Sequence, residues 1–284
     1  MSFQRAFIPY GAYWSTPFCR WQGSLAELNA IKLAAQVAAR ALAARQISPE
    51  GLDGLVLGYT VPQRHSFYGA PWMAGMIDAP GISGPMVSQA CATSARVLAA
   101  AAQDVELGVR QCVLGLACDR TSNGPHIYYP NPRGTGGMGE TEDAVWDNFS
   151  NDPWAGQAMI QTAENVAKEA GITKEEQDAV ALRRYEQYQD STAEDRAFQR
   201  RYMLPVEIPV KKKKVITVDE DEGIFPTTVE GLAKLRPALE GGTVSFGTQT
   251  HPADGNAGIV VCDRERADQL SRDKGATIQL LGWG

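Results

Sequence analysis

Apolar and polar positions along the first 120 residues follow two alternating textures. Residues 5–9 form a short apolar run of strand length, and Ile31, Ala34, Ala35, Ala38 and Leu42 then recur at helical spacing. That spacing predicts a helix with one face laid on a sheet, running to about residue 45. Ser24-Leu-Ala-Glu27 has the form of a capping box and sets the expected start of this helix. Residues 54–60 (GLVLGYT) and 112–117 (CVLGLA) are too continuously apolar for half-exposed strands, and residues 94–107 between them predict a second helix. Strand, helix, strand, helix, strand is the order of an α/β layer around a mainly parallel sheet.

The middle of the chain changes character. Residues 121–152 are rich in Gly, Pro, Asn and Asp, which predicts long loops inserted into the α/β unit. Helices are expected at 157–170 and, behind a second capping box at Thr173-Lys-Glu-Glu176, at 174–200. Residues 206–218 form two short strands flanking four successive lysines, 211–214; with Asp219, Glu220, Asp221 and Glu222 the pattern is that of a solvated, charged hairpin tip, and phosphate binding by the lysines is the alternative. Strands are then expected at 243–246, 258–262 and 277–281. The last of these lies three residues from Gly284, so residues 273–284 are expected to be the first strand of a further, missing domain.

Composition narrows the class. The chain has 284 residues, 44% hydrophobic, 21% charged and 8% aromatic, which excludes disordered and fibrous proteins. Twenty-seven Lys and Arg against 33 Asp and Glu give a net charge of −6, without the basic field of a nucleic-acid binder. No uncharged apolar run nears the ~20 residues of a membrane span, and the opening Met-Ser-Phe-Gln-Arg is not a secretory signal. A cytoplasmic protein is expected, with neither nucleic acid nor membrane as partner. Cys19, Cys91, Cys112, Cys118 and Cys262 are odd in number and lack any Cys-x-x-Cys spacing, and His65, His126 and His251 are far apart. Free thiols and no metal site are expected.

Cys91 is the residue with chemistry to offer. It stands at the entry to the predicted helix 94–107, after a Gly/Pro-rich approach, where the unpaired amides and the macrodipole of a helix start favour a thiolate. A small buried cysteine is the bland alternative. Gly134-Thr-Gly-Gly-Met-Gly139 satisfies the letters of a dinucleotide-binding loop but follows Pro130-Asn-Pro-Arg instead of a strand, which speaks against that use. His126 is read as structural, and Trp14, Trp21, Trp72, Trp146 and Trp154 as core or interface aromatics.

A set of motifs, in order and spanning nearly the whole chain, resembles the thiolase family. Ser15-Thr-Pro-Phe with Gly23-Ser-Leu is similar to the thiolase opening, and Val87-Ser-Gln-Ala-Cys91 to the Val-Asn-x-x-Cys segment that carries the nucleophile. Met159-Ile-Gln-Thr-Ala-Glu-Asn, Ile172-Thr-Lys-Glu-Glu-Gln-Asp178, Thr227-Thr-Val-Glu-Gly-Leu-Ala-Lys-Leu-Arg-Pro237, Gly242-Thr-Val-Ser and Asp254-Gly255 continue the pattern. The resemblance implies a thiolase-like α/β fold: an N-terminal α/β domain (residues 1–121 and 250–272), an inserted loop domain covering coenzyme A (122–249), and a C-terminal half that is absent. It implies an acyltransferase of fatty acid metabolism, forming or cleaving 3-ketoacyl-coenzyme A through an acyl-cysteine at Cys91. Coenzyme A is then a substrate and no cofactor is expected. Met159 falls on a pantetheine-contacting position and Thr250 on a family serine, with His251 beside it as a substrate contact. A homodimer or homotetramer is implied.

The departures are part of the expectation. The family's Gly-Asn-Ala-Ser-Gly is Gly247-Thr-Gln-Thr-His251 here, its Ala-Gly-Gly-x-Glu-Ser is Gly115-Leu-Ala-Cys-Asp-Arg120, a coenzyme-contacting Arg is replaced by Ile224, and the Asn before the nucleophile is Ser88. The family's activating His and second Cys, in Gly-His-Pro and Cys-x-Gly-Gly segments, do not occur in these 284 residues. The activity of this chain by itself is therefore expected to be incomplete. The rival reading is a non-catalytic subunit that binds acyl-coenzyme A or a partner protein; a catalytic chain working with a separate partner subunit lies between the two.

Overall fold

A computed structural model of the chain describes residues 2–211 and 214–284. In chain order the strands are β1 (Phe7–Ile8), β2 (Tyr13–Ser15), β3 (Cys19–Arg20), β4 (Gly54–Gly58), β5 (Met86–Val87), β6 (Cys112–Asp119), β7 (His126–Tyr129), β8 (Glu140–Asp143), β9 (Val206–Lys211), β10 (Lys214–Val218), β11 (Ala253–Cys262) and β12 (Ile278–Gln279). The helices are α1 (Ala30–Ala44), α2 (Gly69–Met76), α3 (Thr93–Glu106), α4 (Trp146–Ser150), α5 (Met159–Ala170), α6 (Lys174–Arg196), α7 (Val229–Ala233) and α8 (Arg264–Leu270). They form two compact units, one from Met1–Asn123, Arg201–Glu222 and Ala253–Gly284, the other from Gly124–Arg200 and Gly223–Pro252. Among the described residues no helix is long and apolar enough to cross a membrane.

The first unit is built on an eight-stranded sheet of order β12-β1-β11-β6-β4-β5, with β2 and β3 also pairing to β11. Two of its seven pairings are parallel, β4 with β5 and with β6, while β11 is antiparallel to β6, β1, β2 and β3, and β1 to β12. The mainly parallel sheet expected from sequence is corrected accordingly. Ten residues of β11 run back along the sheet after the inserted unit, and a returning strand pairs antiparallel without a crossover helix.

Side-chain alternation explains the continuous apolar runs. Leu55, Leu57, Leu114, Leu116 and Val260 pack with Ile31 and Leu42 of α1 on one face of the sheet. Val56, Val113 and Val261 pack with Val97, Ala101 and Val105 of α3 on the other. Both faces are covered, so neither tolerates a polar register.

Several boundaries differ from the sequence pattern, each for a visible reason. Helix α1 begins at Ala30, capped by the Asn29 side chain, which accepts from the Lys32 amide. The Ser24 amide and hydroxyl both donate to Glu222 and are unavailable as a cap. Residues 206–218, assigned from resemblance to the loop domain, belong to the first unit as the β9–β10 hairpin, tied by the Leu204 amide donating to the Ser15 carbonyl at 2.8 Å. Lys212 and Lys213 of the expected hairpin tip lie outside the described residues. Residues 273–284 supply β12, which pairs with β1 in this same sheet, and the Leu280 amide donates to the Ala6 carbonyl at 3.0 Å.

In the second unit, the Gly/Pro-rich stretch expected as loops contains the β7–β8 hairpin and α4. The Thr173–Glu176 capping box opens α6 as expected, but the helix ends at Arg196 after non-helical geometry at Ala193, Glu194 and Asp195. The strand expected at 243–246 does not form. Instead the Thr243 and Val244 amides donate to the Glu164 carboxylate of α5 at 2.7–2.9 Å, as does the Thr243 hydroxyl at 3.0 Å.

Two tests follow from these contacts. Gly58 of β4 faces α3, and a Cβ there would lie 2.4 Å from Val97 Cγ2 and 2.7 Å from Thr93 Cγ2, both on stiff β-branched side chains. Gly58→Ala is expected to destabilise the chain by about 1–3 kcal/mol, read as a lowered urea midpoint with unchanged slope. Burial alone would raise the Glu164 pKa, but the donors at Val244 and Thr243 outweigh it and hold the carboxyl below its ordinary value of 4.5. The ionised group therefore stabilises the fold above the unfolded pKa, and this is lost as pH falls through the lower folded pKa. Glu164→Gln is expected to lower the urea midpoint at pH 7, with the gap to the parent chain closing as pH falls below 4.5.

Candidate active site

Cys91 sits in a turn between β5 and α3, two residues before the helix begins, and its side chain is exposed. The buried-cysteine alternative is therefore set aside. The site lies beyond the carboxyl ends of the parallel strands β4 and β5, where open α/β sheets hold their ligands.

The turn is strained and braced. Ala90 has φ +44°, a conformation that non-glycine residues adopt only when their surroundings enforce it. The Ala90 carbonyl accepts from the Thr93 hydroxyl at 2.7 Å and from the Thr60 hydroxyl at 3.1 Å. Thr93 Oγ1 in turn accepts from the Gln89 amide at 2.8 Å, while the Ala92 and Thr93 amides donate back to the Gln89 and Ala90 carbonyls. Thr60 is itself held by Asp119 at the end of β6, whose carboxylate accepts from the Thr60 and Val61 amides at 2.8–3.0 Å. Burial raises the Asp119 pKa, against the lowering effect of these donors. Helix α3 has no side-chain cap, since Ala92 occupies the N-cap position. Its first-turn amides, with the positive end of the dipole, are thus directed toward the space beside Cys91.

Thr60, Gln89, Thr93 and Asp119 were not singled out from sequence. One signal was present: Asp119 occupies the position of the Glu in the family's Ala-Gly-Gly-x-Glu-Ser. The Thr60–Thr93 brace has no such signal, because it joins residues 33 positions apart.

The other expected site residues belong to the second unit. Met159 is the exposed first residue of α5. Thr250 is exposed, and its hydroxyl donates to the neighbouring His251 carbonyl at 3.2 Å. The His251 ring lies between two carbonyls, with Nδ1 3.0 Å from Pro252 O and Nε2 3.3 Å from Gly223 O. Thr250 and His251 are thereby adjacent and fixed to local backbone. Of the five tryptophans read as core or interface aromatics, Trp14 is buried in the core, whereas Trp154 is 97% exposed. Among the described residues, no group of three His, Cys, Asp or Glu side chains could hold a metal ion.

Comparison with known proteins bears on this arrangement. The pattern of the thiolase N-terminal domain matches residues 12–265. The chain is 30% identical to an acetyl-CoA acetyltransferase of Chromobacterium violaceum over 260 residues, 87% of this chain and 64% of that protein. It is 29% identical to one of Escherichia coli over 262 residues, 87% of this chain and 63% of that protein. It thus spans less than two thirds of the length of these relatives. Among solved structures, human mitochondrial 3-ketoacyl-CoA thiolase in complex with CoA superposes with a TM-score of 0.84 at 25% identity, covering 95% of this chain and 67% of that one. An acetyl-CoA acetyltransferase of Syntrophomonas wolfei gives a TM-score of 0.83 at 28% identity, covering 94% and 67%. With the family pattern running from β2 to α8 across the braced cysteine turn, the chain belongs to the thiolase family.

Proposed function

We propose that this chain is the nucleophile-bearing part of a thiolase-type acyltransferase, with Cys91 taking an acyl group from a coenzyme A thioester. The observation that carries the reading is an exposed cysteine in an enforced turn at an uncapped helix start. The Cys91 sulfur attacks the thioester carbonyl, the coenzyme A thiolate departs, and an acyl-cysteine remains. Charge developing on the carbonyl oxygen meets the positive end of α3, which stabilises it most in the transition state. Met159, Thr250 and His251, all in the second unit, are proposed as its coenzyme A contacts.

The other four cysteines are buried, so native alkylation reports on Cys91 alone. Iodoacetamide at neutral pH is expected to modify Cys91 at least tenfold faster than the rest, with acetyl-coenzyme A slowing the reaction and leaving an acetyl group on the Cys91 peptide by mass spectrometry. Cys91→Ala is expected to abolish both. Alkylation without thioester protection and without acetyl transfer would overturn the reading and leave a chain of this fold without acyl chemistry.

We also propose a homodimer joined through β5. Among the described residues this strand is the open edge of the sheet, pairing only with β4, and it carries the exposed Met86. An uncovered strand edge with apolar side chains is a template for pairing. Met86→Lys is expected to convert a two-chain species to a one-chain species in sedimentation equilibrium; an unchanged mass argues against this interface.

A further inference from the structure

Cys112 and Cys262 stand directly opposite one another across the antiparallel pair β6–β11. The Asp263 amide donates to the Gln111 carbonyl at 3.0 Å, which makes the two cysteines a non-hydrogen-bonded pair, the position where side chains on neighbouring strands come closest. The Cα separation typical of such a pair, about 4.5 Å, lies at the short end of the window that a disulfide requires, about 4.4–6.8 Å. Both are buried, and their thiols hydrogen-bond each other. The remaining buried cysteines have no such neighbour: Cys19 faces Asp254 and Cys118 faces Asn256.

We propose that Cys112 and Cys262 are an oxidisable dithiol, closing to a disulfide that locks β6 to β11 when a hydroperoxide reaches Cys112. A cavity of about 350 Å³ supplies the approach, with Cys112 in its lining together with Asp53, Asp263 and Arg266. Cys112 is the attacking member. The hydrogen bond from Cys262 lowers its pKa, and the Arg266 charge acts in the same direction against burial, while the same bond and burial raise that of Cys262. The Cys112 sulfur attacks one oxygen of hydrogen peroxide, the O–O bond breaks, the departing hydroxide takes the thiol proton, and Cys112 sulfenic acid and one water form (an organic hydroperoxide would release its alcohol instead). The Cys262 sulfur then displaces the sulfenic oxygen, which leaves as a second water with the Cys262 proton. The two sulfurs together lose two electrons and the peroxide gains them. This site lies at the start of β6, at the other end of that strand from Asp119 and the Cys91 turn, so it stands independently of the proposed acyl chemistry.

The test uses the full chain carrying Cys91→Ser, which removes the exposed thiol and leaves four cysteines of the original five. After treatment with hydrogen peroxide, remaining thiols are blocked with N-ethylmaleimide in denaturant and the digest is analysed by mass spectrometry. The expected result is a peptide linking Cys112 to Cys262, two blocked thiols instead of four, and a urea midpoint above that of the reduced chain that dithiothreitol reverses. With Cys262→Ala added, the link is expected to vanish and dimedone to trap Cys112 as its sulfenic acid. Four blocked thiols after peroxide, or Cys112 linked to any other cysteine, overturn the proposal.

Discussion

The close approach of α3 to the sheet is the constraint on which the rest depends. Gly58 and Gly115 present bare backbone to this helix, and a Cβ at either would meet Val97 at 3.0 Å or less. The helix sitting this low brings the Thr93 hydroxyl, which also bonds the Ala90 carbonyl locally, within 3.2 Å of the Thr60 hydroxyl just after β4. That brace holds Ala90 at positive φ and sets Cys91 at the helix start with its side chain exposed. Packing density, a strained backbone and the placement of an exposed cysteine form one causal chain.

A second constraint recurs through both units: carboxylates that accept backbone amides from distant segments. Asp53 takes the Gln111 and Cys112 amides, Asp119 those of Thr60 and Val61, and Asp254 those of Thr121 and Ser122. In the second unit Glu164 takes those of Thr243 and Val244. Each satisfies donors that a strand ladder or helix would otherwise claim, and a charged acceptor makes the stronger bond. The sheet unit and the inserted unit are thus each tied across long sequence separations by single side chains.

These ties explain what the sequence did and did not reveal. Helices α1, α3 and α5 and strands β4, β6 and β11 were legible, because burial on one or both faces writes itself into the spacing of apolar residues. The start of α1 was misplaced because Ser24 has the letters of a cap, while its partner is Glu222, 198 positions away. Residues 243–246 look like a strand locally, yet their donors go to Glu164. The direction of β11 could not be read either, since an apolar run carries no record of whether its neighbour is parallel. Cys91 was legible from its position before a helix and from the family pattern, whereas the threonines and the aspartate that hold its turn are linked to it only in three dimensions.

The sheet also separates its thiols by chemistry. At the carboxyl ends of the parallel strands the turn before α3 exposes Cys91. At the opposite end the register places Cys112 and Cys262 side by side under α8, where only a small molecule entering the cavity could meet them. An antiparallel strand returning beside β6 is what makes that second pair. The mainly parallel sheet that the apolar pattern implied gives no reason to set two cysteines opposite one another in antiparallel register. The feature that the apolar pattern left unread, the direction of β11, is therefore the one that gives the core its paired thiols.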